Sequence, residues 1–384
     1  MGASALASLA LLPSASSATL LYVVTDIAKF VTTLNLTTST SGQPSLEPVA
    51  FSAGCGPYPT WLSLNKATST LHCLYYDSYH PKNGSLLSLR TSPDGVLTPL
   101  SNISIPAGYS SGVLYGSKAS GIAVANSQEG SVRAYSISGS ALSEIYAEHF
   151  DHVQQPGQVD SQGASHPAAA VLDPTGTFLL VPDYGADLVR VWNVDQKTLA
   201  LTASTPLTAA IGSGSCRLVF LKTASRTLMY LISEIANTIT VYDTTYKCDG
   251  SLGFEQVYMT DTHGLNTTLP LDTDTFVWDV QSSPDIRYIL VLSVSMAPES
   301  PGKRLNTFSV DAETGALAHV QTVMVGYPYS FSISKDGTFV AFALWDVGTV
   351  AVYARDVATG LLTRTDASFT MPGGERITYV VFDE

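Results

Sequence analysis

The chain has 384 residues, 45% of them hydrophobic and only 13% charged, with 19 Lys and Arg against 32 Asp and Glu for a net charge of −13. That balance repels phosphate backbones and anionic membranes, so no nucleic-acid partner is expected. No stretch after the amino-terminal region reaches the ~18 apolar residues of a membrane span. The length suggests two or three domains unless a repeat array holds it as one.

Residues 1–18 carry an apolar core from Ala3 to Leu12, then Pro13 and a run of small residues ending at Ala18. This pattern predicts a cleaved secretory signal, leaving one domain over residues 19–384 in a secreted, extracellular and monomeric protein. Asn35, Asn83, Asn102 and Asn266 each open an Asn-x-Ser/Thr sequon in a turn-rich context and are candidate glycosylation sites. The cysteines are even in number and fall as Cys55 with Cys73 and Cys216 with Cys248, each pair inside one repeat, so two disulfides are expected. Their spacing does not suit zinc.

The first repeat copy runs from Tyr58-Pro59-Thr60-Trp61 through Thr70–Tyr76 and Ser85–Leu89 to the turn Pro93-Asp94-Gly95. The second gives Gly112–Tyr115, Gly121–Asn126 and Ser131–Ile137. The third is the clearest, HPAAAVLDPTGTFLLVPDYGADLVRVWNVD from His166 to Asp195. Its apolar run Ala168–Leu172 meets the turn Asp173-Pro174-Thr175-Gly176, then Phe178–Val181 breaks at Pro182, and Leu188–Val194 alternates. The fourth copy is Arg217–Leu221, Thr227–Ile232 and Thr238–Tyr242; the fifth is Thr275–Val280, Tyr288–Leu292 and Leu305–Val310; the sixth is Tyr329–Ile333, Phe339–Ala343 and Val350–Tyr353.

Aromatic residues near the end of the third strands, Tyr135, Trp192, Tyr242, Phe308 and Tyr353, recur every 45 to 66 residues. A period of that size without helical spacing means propeller blades. The last strand, Ile377–Phe382, and the first ones, Leu20–Val24 and Val31–Leu34, complete no blade alone. Together they make a seventh, which closes the ring and leaves no open sheet edge. The predicted fold is an all-β, seven-bladed propeller of four-stranded antiparallel blades.

The third copy, and Arg217 followed by SEIANTITVY from Ser233 to Tyr242, resemble the lactonase family of seven-bladed propellers, which includes 6-phosphogluconolactonases and fungal 3-carboxy-cis,cis-muconate lactonizing enzymes. The resemblance implies a cleft on the propeller axis that opens or closes a small carboxylated lactone or its open acid, with no metal and no cofactor. By position it assigns Arg217 to the substrate carboxylate, Glu234 to orienting that Arg or moving a proton, and His166 to proton transfer. Three family positions depart. His-Pro-His reads His166-Pro167-Ala168, Leu218 stands where His is frequent, and the fifth-blade Arg is absent, leaving Arg304 as a substrate-binding candidate reaching in from a loop. These departures favour an alternative, a catalytically degenerate secreted glycoprotein that binds a ligand or a surface through one propeller face. Asp183 is expected to cap backbone N–H groups, and His149 and His152 around Asp151 lack a third metal ligand.

Overall fold

A computed structural model describes residues 18–27, 30–76, 83–108, 110–263, 275–295 and 302–384. They form seven four-stranded antiparallel sheets. Blades 1 to 6 occupy residues 59–106, 110–149, 171–208, 215–261, 275–326 and 328–370, each ordered inner to outer along the chain. Blade 7 places Ile377–Phe382 innermost, hydrogen-bonded to Ala18–Thr25, which is followed by Phe30–Thr38 and Pro44–Ala53. The ring is therefore closed by the two ends of the chain, as the sequence predicts. Asp383 reinforces the closure by accepting from the Tyr22 hydroxyl (3.0 Å) and pairing with Lys66 of blade 1 (2.6 Å).

Each sheet is pressed between two others, so its second strand has no solvent face. Gly121–Asn126, Phe178–Asp183 and Thr227–Ser233 are buried at every position. Outer strands such as Leu252–Asp261 mix exposed and buried positions, because one side meets water. The core accordingly divides into seven apolar clusters, one at each interface between neighbouring blades. The recurrent third-strand aromatics all lie in these clusters, Tyr135 with Trp61, Trp192 with Tyr115, and Phe308 with Tyr230.

Four expectations need correction. The third-copy run Ala168–Leu172 is a regular strand only at Val171–Leu172, joined to Phe178–Asp183 by one further bridge at Pro167. Conversely, Pro182 does not break the second run, which continues to Asp183. Its ring nitrogen points the same way as its carbonyl, toward the irregular segment 168–170, so no ladder acceptor is left waiting.

Cys55 and Cys73 are joined, but Cys216 is a buried free thiol and Cys248 an exposed one. Cys216 donates to the carbonyl of Ile232, which pairs with Ile239, whereas Cys248 lies beyond Tyr246 at the other end of that strand. The strand alone separates them by about 23 Å, far outside disulfide reach. Finally, Asn35 and Asn102 lie within strands rather than turns, Asn35 only half-exposed, while Asn83 is exposed where a strand begins. The signal-like segment, Ala18 apart, and Asn266 fall outside the described residues.

Candidate active site

The inner strands share a recurring irregularity. In blades 1, 4, 5, 6 and 7 the innermost strand carries one extra residue opposite its neighbour, respectively Thr60, Cys216, Trp278, Tyr329 and Thr378. Such a bulge turns two consecutive side chains toward the same side instead of alternating them. All these extra residues line a cavity of about 790 Å³ on the propeller axis, and Arg217, Asp279 and Tyr379, which directly follow three of them, line it too. Blade 3 contributes His166 and the short side chains of Ala168, Ala169 and Ala170.

The approach to Arg217 is fixed from below. The buried carboxylate of Asp187 accepts the backbone N–H groups of Gly212 (2.8 Å) and Gly214 (2.7 Å), the hydroxyl of Ser213 (3.3 Å) and the side-chain amides of Gln158 and Gln162 (both 2.9 Å). Gly214 sits at φ +67°, and a Cβ there would meet Ile235 at 2.7 Å, so the turn needs glycine. The carbonyl of Gly214 in turn accepts the N–H of Glu234 (2.8 Å), tying the turn that carries Glu234 to the strand that carries Arg217.

Nη1 of Arg217 donates to the carbonyls of Ala168 (3.2 Å) and Cys216 (2.9 Å). Those bonds lock the guanidinium plane, and Nη2 makes no hydrogen bond to a described residue. Glu234 and Asp279 flank it on the cavity wall. Burial raises both carboxyl groups above the usual range while the charge of Arg217 pulls both partly back. Asp279 is pushed up to about 6 despite the Val280 N–H donated to its Oδ1 at 2.9 Å. Burial likewise raises the Tyr379 phenol, helped by the charge of Asp279, and the Cys216 thiol, helped by Glu234. A thiol held protonated in this way is no nucleophile.

His166 faces the cavity from blade 3. Its backbone N–H is held by Oδ1 of the fully buried Asp183 (2.8 Å), which also pairs with Arg190 (2.8 Å) and accepts the Ala186 N–H (3.2 Å). The capping role expected for Asp183 is thus what the structure shows. His166 Nδ1 lies 2.8 Å from the Ser127 carbonyl; since a carbonyl only accepts, Nδ1 carries the proton and Nε2 is the basic nitrogen of the neutral ring.

Arg304 is not in a loop. It sits in Gly302–Val310, the third strand of blade 5, buried and absent from the described cavity lining, because the strand begins earlier than expected and draws it into the ladder opposite Ser293. Its neighbour Lys303 stacks its ammonium 3.7 Å above the Trp278 ring, and burial pushes that ammonium down to about 7. His149 pairs with Glu129 (3.2 Å), and no group of three metal-ligating side chains occurs among the described residues.

Asp279 and the aromatic walls were not singled out from the sequence. Cys216-Arg217 and Trp278-Asp279 each hold the extra residue of a bulge and the residue after it, a relation set by pairing with the neighbouring strand.

The model of a family described as lactonase, 7-bladed beta-propeller, matches residues 21–380. The chain belongs to this lactonase family. It is 26% identical to a protein of Arthroderma benhamiae named "Probable 6-phosphogluconolactonase" over 312 residues, 79% of this chain and 75% of that one. With the 6-phosphogluconolactonase of Serratia proteamaculans it shares 27% identity over 215 residues, 54% of this chain and 58% of the relative. Among solved structures, the periplasmic gluconolactonase of Pseudomonas aeruginosa superposes with a TM-score of 0.78 at 22% identity, covering 95% of this chain and 99% of that one. A protein of Lactobacillus plantarum superposes at 0.76 with 20% identity, covering 96% and 99%.

Proposed function

We propose that this protein hydrolyses a sugar lactone in its axial cavity. The observation that carries the proposal is Arg217, its guanidinium anchored by two carbonyls between two raised carboxyl groups on the cavity wall. Lactone opening develops negative charge on the carbonyl oxygen and ends in a carboxylate, and a fixed guanidinium serves both. Water adds to the carbonyl carbon, giving its proton to Asp279, whose value of about 6 suits a base at neutral pH. The ring C–O bond then breaks and the leaving oxygen takes the proton back. Glu234 balances the charge of Arg217, and Nε2 of His166 accepts from a substrate hydroxyl or the attacking water.

Relatives named as lactonases support opening of the ring over muconate cyclisation. Export belongs to the same proposal, supported by the signal-like start and by the Cys55–Cys73 disulfide, a bond that persists in oxidising compartments. The alternative of a binding protein without catalysis is favoured by Ala168 in place of a second imidazole.

One assay separates the two readings. Purified protein is mixed with glucono-δ-lactone and acid release is followed against the spontaneous rate. The expected result is saturable release well above background, lost in Arg217→Ala. Release at the spontaneous rate for every sugar lactone tried leaves the binding reading standing.

A further inference from the structure

The fungal and Serratia relatives are named for a phosphorylated lactone and the Pseudomonas structure for an unphosphorylated one, and the described cavity lining is poor in the groups that hold phosphate. Among its described lining residues the acids are Asp26, Glu234 and Asp279, while Arg217 is the one permanent cation and His166 also lines the wall. Lys303 and Arg376 are near, but both stack on cavity tryptophans, Lys303 on Trp278 (3.7 Å) and Arg376 on Trp345 (4.2 Å), and neither is among the lining residues.

What the cavity has in abundance is acceptors and flat apolar walls. Asp26 is 3% exposed, lines the cavity, and its buried Oδ1 has no hydrogen-bond partner among the described residues. A buried acceptor without a partner calls for a donor, which a hydroxyl supplies and a phosphate dianion does not. Tyr58 and Tyr76 lie 5.6 Å apart, tilted by 30°, on one side, and Trp278 meets Tyr329 edge to face at 5.1 Å on another, with Trp345 also lining the cavity. The C–H faces of a sugar ring pack on such rings.

Resting on the lactone-opening reading, we propose that the cavity selects an uncharged, non-phosphorylated aldonolactone, with its hydroxyls on the carboxylates and its ring against the aromatic walls, and excludes the 6-phosphate of the same sugar. Discrimination comes from repulsion as much as from fit. Added phosphate charge within the cavity meets carboxylates that water screens poorly.

The test compares glucono-δ-lactone with 6-phosphoglucono-δ-lactone on the full-length protein. The unphosphorylated substrate should have a kcat/KM about 100-fold higher, the scale of one like-charge contact about 4 Å apart at an effective dielectric between those of the protein surface and bulk water, and Asp26→Asn should narrow that ratio. A ratio near or below one overturns the inference while leaving lactone hydrolysis intact. If neither lactone is opened, the hydrolase reading fails, and binding decides the inference. Fluorescence of Trp278 and Trp345 is titrated with the non-hydrolysable lactam of gluconic acid and with its 6-phosphate. Response to the neutral lactam alone upholds the inference; response to both, to the phosphate alone or to neither overturns it.

Discussion

Blades 4 and 5 meet the axis with bulged strands that bring a pair of consecutive residues each to the cavity, Cys216-Arg217 and Trp278-Asp279. Blade 3 meets it with an irregular segment of three alanines and a histidine supplied from the turn before them. The same supersecondary unit therefore does two jobs. In blades 4 and 5 the bulged inner strand delivers charge; in blade 3, where it shrinks to Val171–Leu172, it delivers space and a backbone carbonyl, that of Ala168, which steers Arg217.

If the bulged blades carry the chemistry, Arg217→Ala should have the largest effect of any single substitution, lowering kcat/KM by about 1,000-fold, the upper range for loss of one oxyanion donor. Chemical denaturation should show a smaller change, since water can solvate the two carbonyls and the flanking carboxyls, already raised by burial, take up protons once the guanidinium is gone. Asp279→Asn should cost about 100-fold, the lower range for loss of a general base.

The pH dependence gives Asp279 a second signature. Its folded-state value lies above that of an unfolded carboxyl, so the native state binds more protons between about 4 and about 6 and stability falls as pH rises through that window. Asp279 alone should contribute a loss on the order of 2 kcal/mol across it, read as the difference between wild type and Asp279→Asn. In the wild type kcat/KM should climb over the same window as the base ionises. A mutant that kept that climb would assign the base elsewhere, with His166 the next candidate.

The fold was legible because each blade repeats one pattern and the ring multiplies it. A weak strand such as Val171–Leu172 is rescued by its neighbours in the repeat. Arg217, Glu234 and His166 were legible because they sit beside motif residues, and all three line the cavity. Asp279 was not, because its exposure depends on a bulge, and a bulge is a matter of register between two strands rather than of composition in one. Arg304 misled for a related reason. The strand read as starting at Leu305 begins at Gly302, so a residue expected in a loop is held in the ladder opposite Ser293, and its neighbour Lys303 is the one that meets the aromatic wall.

Cys55–Cys73 was read correctly, while Cys216 and Cys248 misled because a pair inside one repeat need not be near in space. Removing Cys55–Cys73 by Cys55→Ala should cost about 3 kcal/mol in denaturant unfolding, as expected for a loop of this length. In the native protein one thiol, Cys248, should react with Ellman's reagent, and Cys216 should join it only in denaturant. Two reactive thiols under native conditions would mean that the reagent reaches Cys216, either through the cavity it lines or by opening of the inner strand of blade 4.

The smallest effect is expected from making blade 3 resemble the family pattern. Ala168→His places a second imidazole on a wall where the cavity has room, and the Ala168 carbonyl that steers Arg217 is a backbone group the substitution leaves in place. If blade 3 supplies space, the new ring competes with substrate: KM should rise and kcat should stay within about threefold, because proton transfer already has a base of suitable acidity in Asp279. A rise in kcat beyond about tenfold, titrating near the ordinary imidazole range, would reverse the comparison. It would show that the bulged blades hold the substrate while the chemistry waits on an imidazole this chain has lost.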